Sequence, residues 1–145
     1  MAHEDALASV PLFSQLSRKD LSRLGRAVVE RKYKKGETIV KEGEQAVAFF
    51  MITKGRVEVT RTGGGGRKNG NKLAELGAGQ VFGEMALLDG QPRDATVKAL
   101  EDTECLVLSR WDFVAELRTN PHIAVGMLPI LSRRLREAND RLGHQ

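Results

Sequence analysis

The stretch Phe82-Gly83-Glu84-Met85-Ala86-Leu87-Leu88-Asp89-Gly90-Gln91-Pro92-Arg93-Asp94-Ala95-Thr96-Val97 places a glycine at the start of a short helical turn, an acid directly after it, and an arginine nine residues beyond that acid. A strand then begins. Glycine lets the backbone approach a ligand closely, and a helix N-terminus offers free N–H groups to negative charge. Arg93 can add a planar fork of donors to phosphate oxygens. Glu84 only accepts hydrogen bonds when ionised, so it suits a sugar hydroxyl rather than a phosphate. A phosphate beside a ribose is the ligand chemistry these groups describe.

Upstream, short apolar segments alternate with turn residues. Thr38-Ile39-Val40 is bounded by Gly36 and Gly43, and Ala48 to Thr53 reads as a buried strand ending at Lys54-Gly55. Arg56-Val57-Glu58-Val59-Thr60-Arg61 alternates polar and apolar residues, the pattern of a half-buried strand. The glycine-rich segment Gly63 to Asn71 reads as a hairpin loop, since it lacks the Gly-Lys-Ser/Thr ending of a triphosphate-binding loop. Leu73 to Leu76 resumes as a strand, and Thr96 to Leu100 and Thr103 to Leu108 add two more. Many short strands with glycine-bearing turns predict a mainly β fold, a small β-barrel or jelly roll, flanked by helices.

The flanks carry helical spacing. Residues 4 to 9 can form a short helix. Ser17-Arg18-Lys19-Asp20 is a weakened capping box, and Leu21, Leu24, Ala27 and Val28 continue an amphipathic helix to about Val29. Ser109-Arg110-Trp111-Asp112 starts another helix, and Asn120-Pro121 pairs a capping residue with a first-turn proline. The last helix is expected to reach about Leu142, kinked or divided at Pro129. Leu128, Leu131, Leu135, Ala138 and Leu142 form a 3-4-3-4 seam. The stripe either packs on the chain's own barrel or pairs with a second copy.

Length and composition bound the rest. The chain has 145 residues, enough for one domain with a useful core. Hydrophobic residues make up 41% and aromatics only 5%, so Val, Leu, Ile and Ala must fill that core. A net charge of +4 fits a solvated surface better than a dedicated nucleic-acid face. Cys105 sits in an apolar run and reads as a buried thiol. His3, His122 and His144 are scattered, so no metal is expected. No segment has the length of an apolar membrane span, and the start Met1-Ala2-His3-Glu4-Asp5 lacks the features of a secretory signal. A cytoplasmic location is the expectation.

The 82–97 stretch closely resembles the phosphate-binding cassette of cyclic-nucleotide-binding domains, the family of the catabolite activator protein and the regulatory subunits of cyclic-AMP-dependent kinase. The resemblance extends to Gly43, Gly55, Gly83-Glu84 and Arg93-x-Ala95, and covers roughly residues 10 to 142. It implies a single binding domain over 1–145. N-terminal helices would occupy about 4–30, the barrel about 31–108, and a C-terminal helix pair about 110–142.

The resemblance also assigns roles. The N–H groups after Gly83, in the turn of Glu84, Met85 and Ala86 that follows Phe82, would face the cyclic phosphate. Glu84 would take the ribose 2′-hydroxyl, Arg93 would neutralise the phosphate, and Ala95 would pack with its N–H turned inward. Leu73 lies where the family packs an apolar side chain on the base, and Asn139 where the transcription-factor branch offers a polar residue. Asp94 departs from the small or hydroxyl residue usual after the arginine. Three outcomes are open: it turns outward, it weakens binding, or it accepts hydrogen bonds from a guanine edge.

The implied function is a cyclic-nucleotide sensor, for cyclic AMP with cyclic GMP as the alternative. Its cassette helix would act on the C-terminal helices through Leu87 and Leu88. The competing reading is a degenerate domain that serves protein association without binding nucleotide. An enzyme is not expected, because no metal cluster or general base accompanies the phosphate groups. The implied partners are the nucleotide, a second copy through the last helix and an unidentified effector. No DNA-binding module or membrane segment is expected in the chain.

Overall fold

A computed structural model of the protein describes residues 3–62 and 71–142. The described residues fall into two compact units, 3–27 with 113–142, and 28–62 with 71–112.

The second unit is mainly β. Its strands are β1 (Val29–Tyr33), β2 (Thr38–Val40), β3 (Ala48–Lys54), β4 (Arg56–Arg61), β5 (Asn71–Gly77), β6 (Val81–Phe82), β7 (Thr96–Ala99) and β8 (Thr103–Ser109). They form two four-stranded sheets, ordered β1-β8-β3-β6 and β2-β7-β4-β5. Every strand pair is antiparallel. This is the jelly-roll-like arrangement that the strand pattern predicts.

Alternate residues of several strands build one core. Ala48, Phe50 and Ile52 of β3 meet Cys105 and Val107 of β8, Val57 of β4, Phe82 of β6 and Val97 of β7. Ile52 and Val57 have no exposed surface. Burying a side chain of that size contributes roughly 1.5–3 kcal/mol before entropy is counted. The Cys105 thiol is pushed up to about 11 by burial, so it stays protonated and packs as a small apolar group.

Two strands escape a reading of local pattern. The helix expected to run to Val29 ends at Gly25, and Val29 opens β1 instead. β1 is exposed along nearly its whole length, so it shows no alternation; its pairing with Val107–Thr103 of β8 makes it a strand. β6 is two residues long and exists through the pairs Phe50↔Phe82 and Met51↔Val81. The glycine-rich segment before β5 lies outside the described residues, apart from Asn71.

The first unit contains α1 (Glu4–Ala8), a 3₁₀ turn at Pro11–Phe13, α2 (Arg18–Gly25) and α5 (His122–Arg141). α4 (Arg110–Thr119) starts in the β unit, where Ser109 Oγ accepts from the Asp112 N–H at 3.0 Å as its sequence predicts. Ser17 likewise caps α2, accepting from the Asp20 N–H at 3.1 Å. Asn120 does not cap α5 with its side chain; its amide donates to Glu116 at 3.3 Å. α5 is not divided at Pro129. Pro129 stands on the exposed side, and the carbonyl that loses its donor belongs to Val125, which is itself 64% exposed and open to water. Ile123, Met127 and Ile130 are buried at helical spacing, which holds the helix through the missing bond.

Asp20 is a buried acid that joins two helices. Its Oδ1 lies 2.8 Å from His122 Nε2 and accepts from Arg23 at 3.0 Å. Burial by itself would raise its pKa, but the hydrogen bonds from His122, Ser17 and Arg23, with the charge of His122, outweigh burial and lower it. A folded-state pKa below the unfolded value contributes stability above that unfolded value and loses it as pH falls through the folded one. Asp20→Asn is therefore expected to lower stability by roughly 1–2 kcal/mol at neutral pH. It should also flatten the decline in melting temperature below about pH 4. Melting curves from pH 2 to 7 check this; parallel curves for parent and variant would count against it.

Candidate ligand site

The site lies wholly in the β unit. α3 (Glu84–Asp89) follows β6 directly, with Gly83 at its N-cap in the left-handed conformation, φ 80°. Gly83 also has no room for a side chain: a Cβ there would lie 3.0 Å from the Ala48 carbonyl oxygen and would press on the Arg93 guanidinium. Both requirements select glycine at this position. The Ala86 N–H donates to the Gly83 carbonyl at 3.0 Å, which closes the first turn of the helix that follows.

A cavity of about 540 Å³ opens here, and its wall includes Phe82, Gly83, Glu84, Met85, Ala86, Arg93 and Asp94. Seven of the ten sequence-selected residues thus meet around one cavity. Ala46, Val81, Asp89, Gln91 and Pro92 complete the wall. Ala95 is half-buried just before β7 and is not on the wall. Leu73 stands on β5, 48% exposed, also off the wall. Asn139 is an exposed residue of α5, in the other unit.

Arg93 is half-buried and held from several sides. Its guanidinium donates to the Ala48 carbonyl and lies 5.7 Å from the centre of the Phe50 ring. Phe50 in turn stacks on Phe82 at 4.8 Å, so the residue before the glycine supports the arginine through an aromatic pair. Its backbone is tied at both polar groups: the Gly43 N–H donates to the Arg93 carbonyl and the Arg93 N–H to the Glu44 carbonyl, each at 2.8 Å. Burial holds the guanidinium below its ordinary pKa, with the charge of Asp94 acting in the opposite sense. An arginine remains charged at neutral pH under such a shift, so the wall carries a fixed, partly desolvated cation. Such a cation favours an anion, and a guanidinium has five donors to offer it.

The carboxylate of Asp94 goes to Arg61, the last residue of β4. Arg61 donates to the Asp94 carbonyl at 2.9 Å and to its Oδ2 at 3.3 Å. The Asp94 side chain is 87% exposed. Arg61 and Phe50 were not selected from the sequence. Phe50 is legible only as a core residue, and nothing local links Arg61 to a partner 33 positions later.

Among the described residues no three His, Cys, Asp or Glu side chains gather as a metal site, and no helix is long and apolar enough to cross a membrane.

A mainly β unit whose cavity joins a glycine-led helix to a half-buried arginine defines a class of ligand-binding domain. Residues 30–120 match the family model described as the cyclic nucleotide-binding domain, and the chain belongs to that family. It is 39% identical over 129 residues to the cyclic AMP receptor protein of Thermus thermophilus, covering 89% of this chain and 59% of that protein. It is 39% identical over 113 residues to a cAMP-dependent protein kinase regulatory subunit of Debaryomyces hansenii, covering 78% of this chain and 24% of that one. The chain therefore spans about three fifths of the length of the first of these relatives and about a quarter of the second. Among solved structures, the N-terminal domain of a transcriptional regulator from Streptomyces coelicolor superposes with a TM-score of 0.83 at 34% identity, covering 94% of this chain and 96% of that one. The Thermus thermophilus catabolite activator protein gives 0.72 at 38% identity, covering 92% and 62%.

Proposed function

We propose that the chain is a cyclic-AMP-sensing regulatory domain whose ligand occupies the cavity beside Arg93. The observation that carries this reading is the half-buried Arg93 guanidinium on a wall that also bears the N-terminus of α3. In this reading Arg93 and the first N–H groups of α3 hold the cyclic phosphate. Glu84 accepts from the ribose 2′-hydroxyl, and Phe82, Met85 and Ala86 shape the wall around the sugar. Ala95 supports the cassette from just before β7, while Leu73 and Asn139 are candidates for contact with the purine. The names of the relatives, a cyclic AMP receptor protein and a cAMP-dependent kinase regulatory subunit, support adenine over guanine.

The role is regulatory rather than catalytic. The barrel and its flanking helices work as one domain: ligand charge orders the cassette, and the C-terminal helices change arrangement in response. That requires the ligand to bind one arrangement better than the other. The exposed seam of Leu128, Leu135 and Leu142, 58%, 64% and 80% exposed, offers a second copy a heptad-spaced surface. The domain would act in the cytoplasm on an effector it meets there.

Calorimetric titration of the chain with cyclic AMP and cyclic GMP, with sedimentation of the free and loaded forms, tests the proposal. Saturable heat with cyclic AMP, weaker binding of cyclic GMP and a raised melting temperature are expected. Absence of heat with both nucleotides, with an unchanged melting temperature, would overturn the sensor reading in favour of an association scaffold. A monomer in both states would remove the pairing.

A further inference from the structure

We propose that Arg61 is a positioning residue for this site, which makes an anionic ligand admissible by keeping the Asp94 carboxylate engaged at the cavity rim. The inference rests on the reading of the cavity as a cyclic-phosphate site. Asp94 directly follows Arg93 and shares the cavity wall with it. A carboxylate there repels the charge that Arg93 attracts. Arg61 meets this carboxylate with a two-point grip, one donor to the Asp94 backbone carbonyl at 2.9 Å and one to its Oδ2 at 3.3 Å. A contact to backbone and side chain of the same residue fixes where the carboxylate points and partly neutralises it.

The grip belongs to a wider set of ties. β4 and β7 pair through Thr60↔Thr96, which brings the end of β4 beside the end of the cassette. The next residue, Thr62, donates its N–H and its hydroxyl to the two oxygens of Glu42, each at 2.9 Å. The Glu42 N–H donates to Thr96 Oγ1 at 3.0 Å, and Gly43 and Glu44 hold the backbone of Arg93. The cassette's arginine and its neighbouring acid are thus held by two different segments. Arg93 is fixed by the turn after β2, and Asp94 by the end of β4. The structure gives Arg61 a definite job: the acid at position 94 is compatible with an anion site because a cation 33 positions earlier is committed to it.

Both partners are largely exposed, so the effect is modest and sensitive to salt. Titration with cyclic AMP at low salt is the test. Arg61→Ala is expected to weaken binding roughly two- to fivefold in the parent, and less than about 1.5-fold in an Asp94→Ala background. Arg61→Lys, which keeps the charge but not the two-point grip, should recover only part of the affinity, and the loss in Arg61→Ala should shrink at about 0.5 M salt. An equal loss in both backgrounds would show that Arg61 acts on the ligand directly, and would overturn the proposal. So would a loss independent of salt. A parent that binds neither nucleotide would instead bring down the reading of the cavity, and this inference with it.

Discussion

Replacing Arg93 with alanine is expected to weaken cyclic-AMP binding by roughly thirtyfold to several thousandfold, the effect of removing one partner from a partly desolvated charge pair. The size follows from where the guanidinium sits. It is half-buried, rests over Phe50 and is oriented by the Ala48 carbonyl, so it reaches an anion already placed and already partly stripped of water. Alanine would leave the ligand's charge facing the wall with no cation to meet it, and Asp94 close by. Arg93→Lys should fall between the two, because an ammonium restores charge without the planar fork. The backbone ties from Gly43 and to Glu44 do not depend on the side chain, so the variant should fold. Calorimetry measures the loss and a melting curve checks the fold. Binding within twofold of the parent would remove Arg93 from the site.

The second large effect falls on stability. Gly55→Ala should destabilise the protein by roughly 3–4 kcal/mol, near the upper end for a single substitution. A chain of this size should then melt roughly 10–15 °C lower. Gly55 joins β3 to β4 with φ 98°, a conformation that costs an L-residue about 1–2 kcal/mol. The methyl group would also lie 2.6 Å from the Asp102 carbonyl oxygen and 2.7 Å from Thr103 Cα. These are backbone atoms and cannot swing aside. Thr103 is buried, with its hydroxyl donating to the Glu101 carbonyl at 2.8 Å, and the Leu100 N–H donates to the Arg56 carbonyl at 2.9 Å. Making room would break this packing at the start of β8. A melting temperature within about 3 °C of the parent would refute the argument.

Most of the strands were legible because their signals are local. β2 and β4 occupy the residues their pattern marks, and β3, β7 and β8 differ by a residue or so at one end. Gly83 and the turn after it were legible for the same reason, since a glycine directly before a short apolar turn marks where a helix begins. β1 was hidden because its residues are exposed and highly charged, and β6 because two residues carry no period. Pro129 pointed to a break that buried contacts at Ile123, Met127 and Ile130 override.

Along the chain alone, the residues set out the groups from which the proposed site is built: a glycine-led helical turn, Glu84 and Arg93 at fixed spacing, on a barrel of short strands. Chemistry of that kind depends on residue type and separation, and both are written in the order of the chain. What only the tertiary structure decided is how those groups are held. Phe50 lies beneath Arg93, and the turn at Gly43 and Glu44 fixes its backbone. Asp94, for which the sequence left three roles open, is turned to Arg61. Each of these contacts joins residues far apart in the chain, and strand pairing, which no local pattern encodes, brings them together.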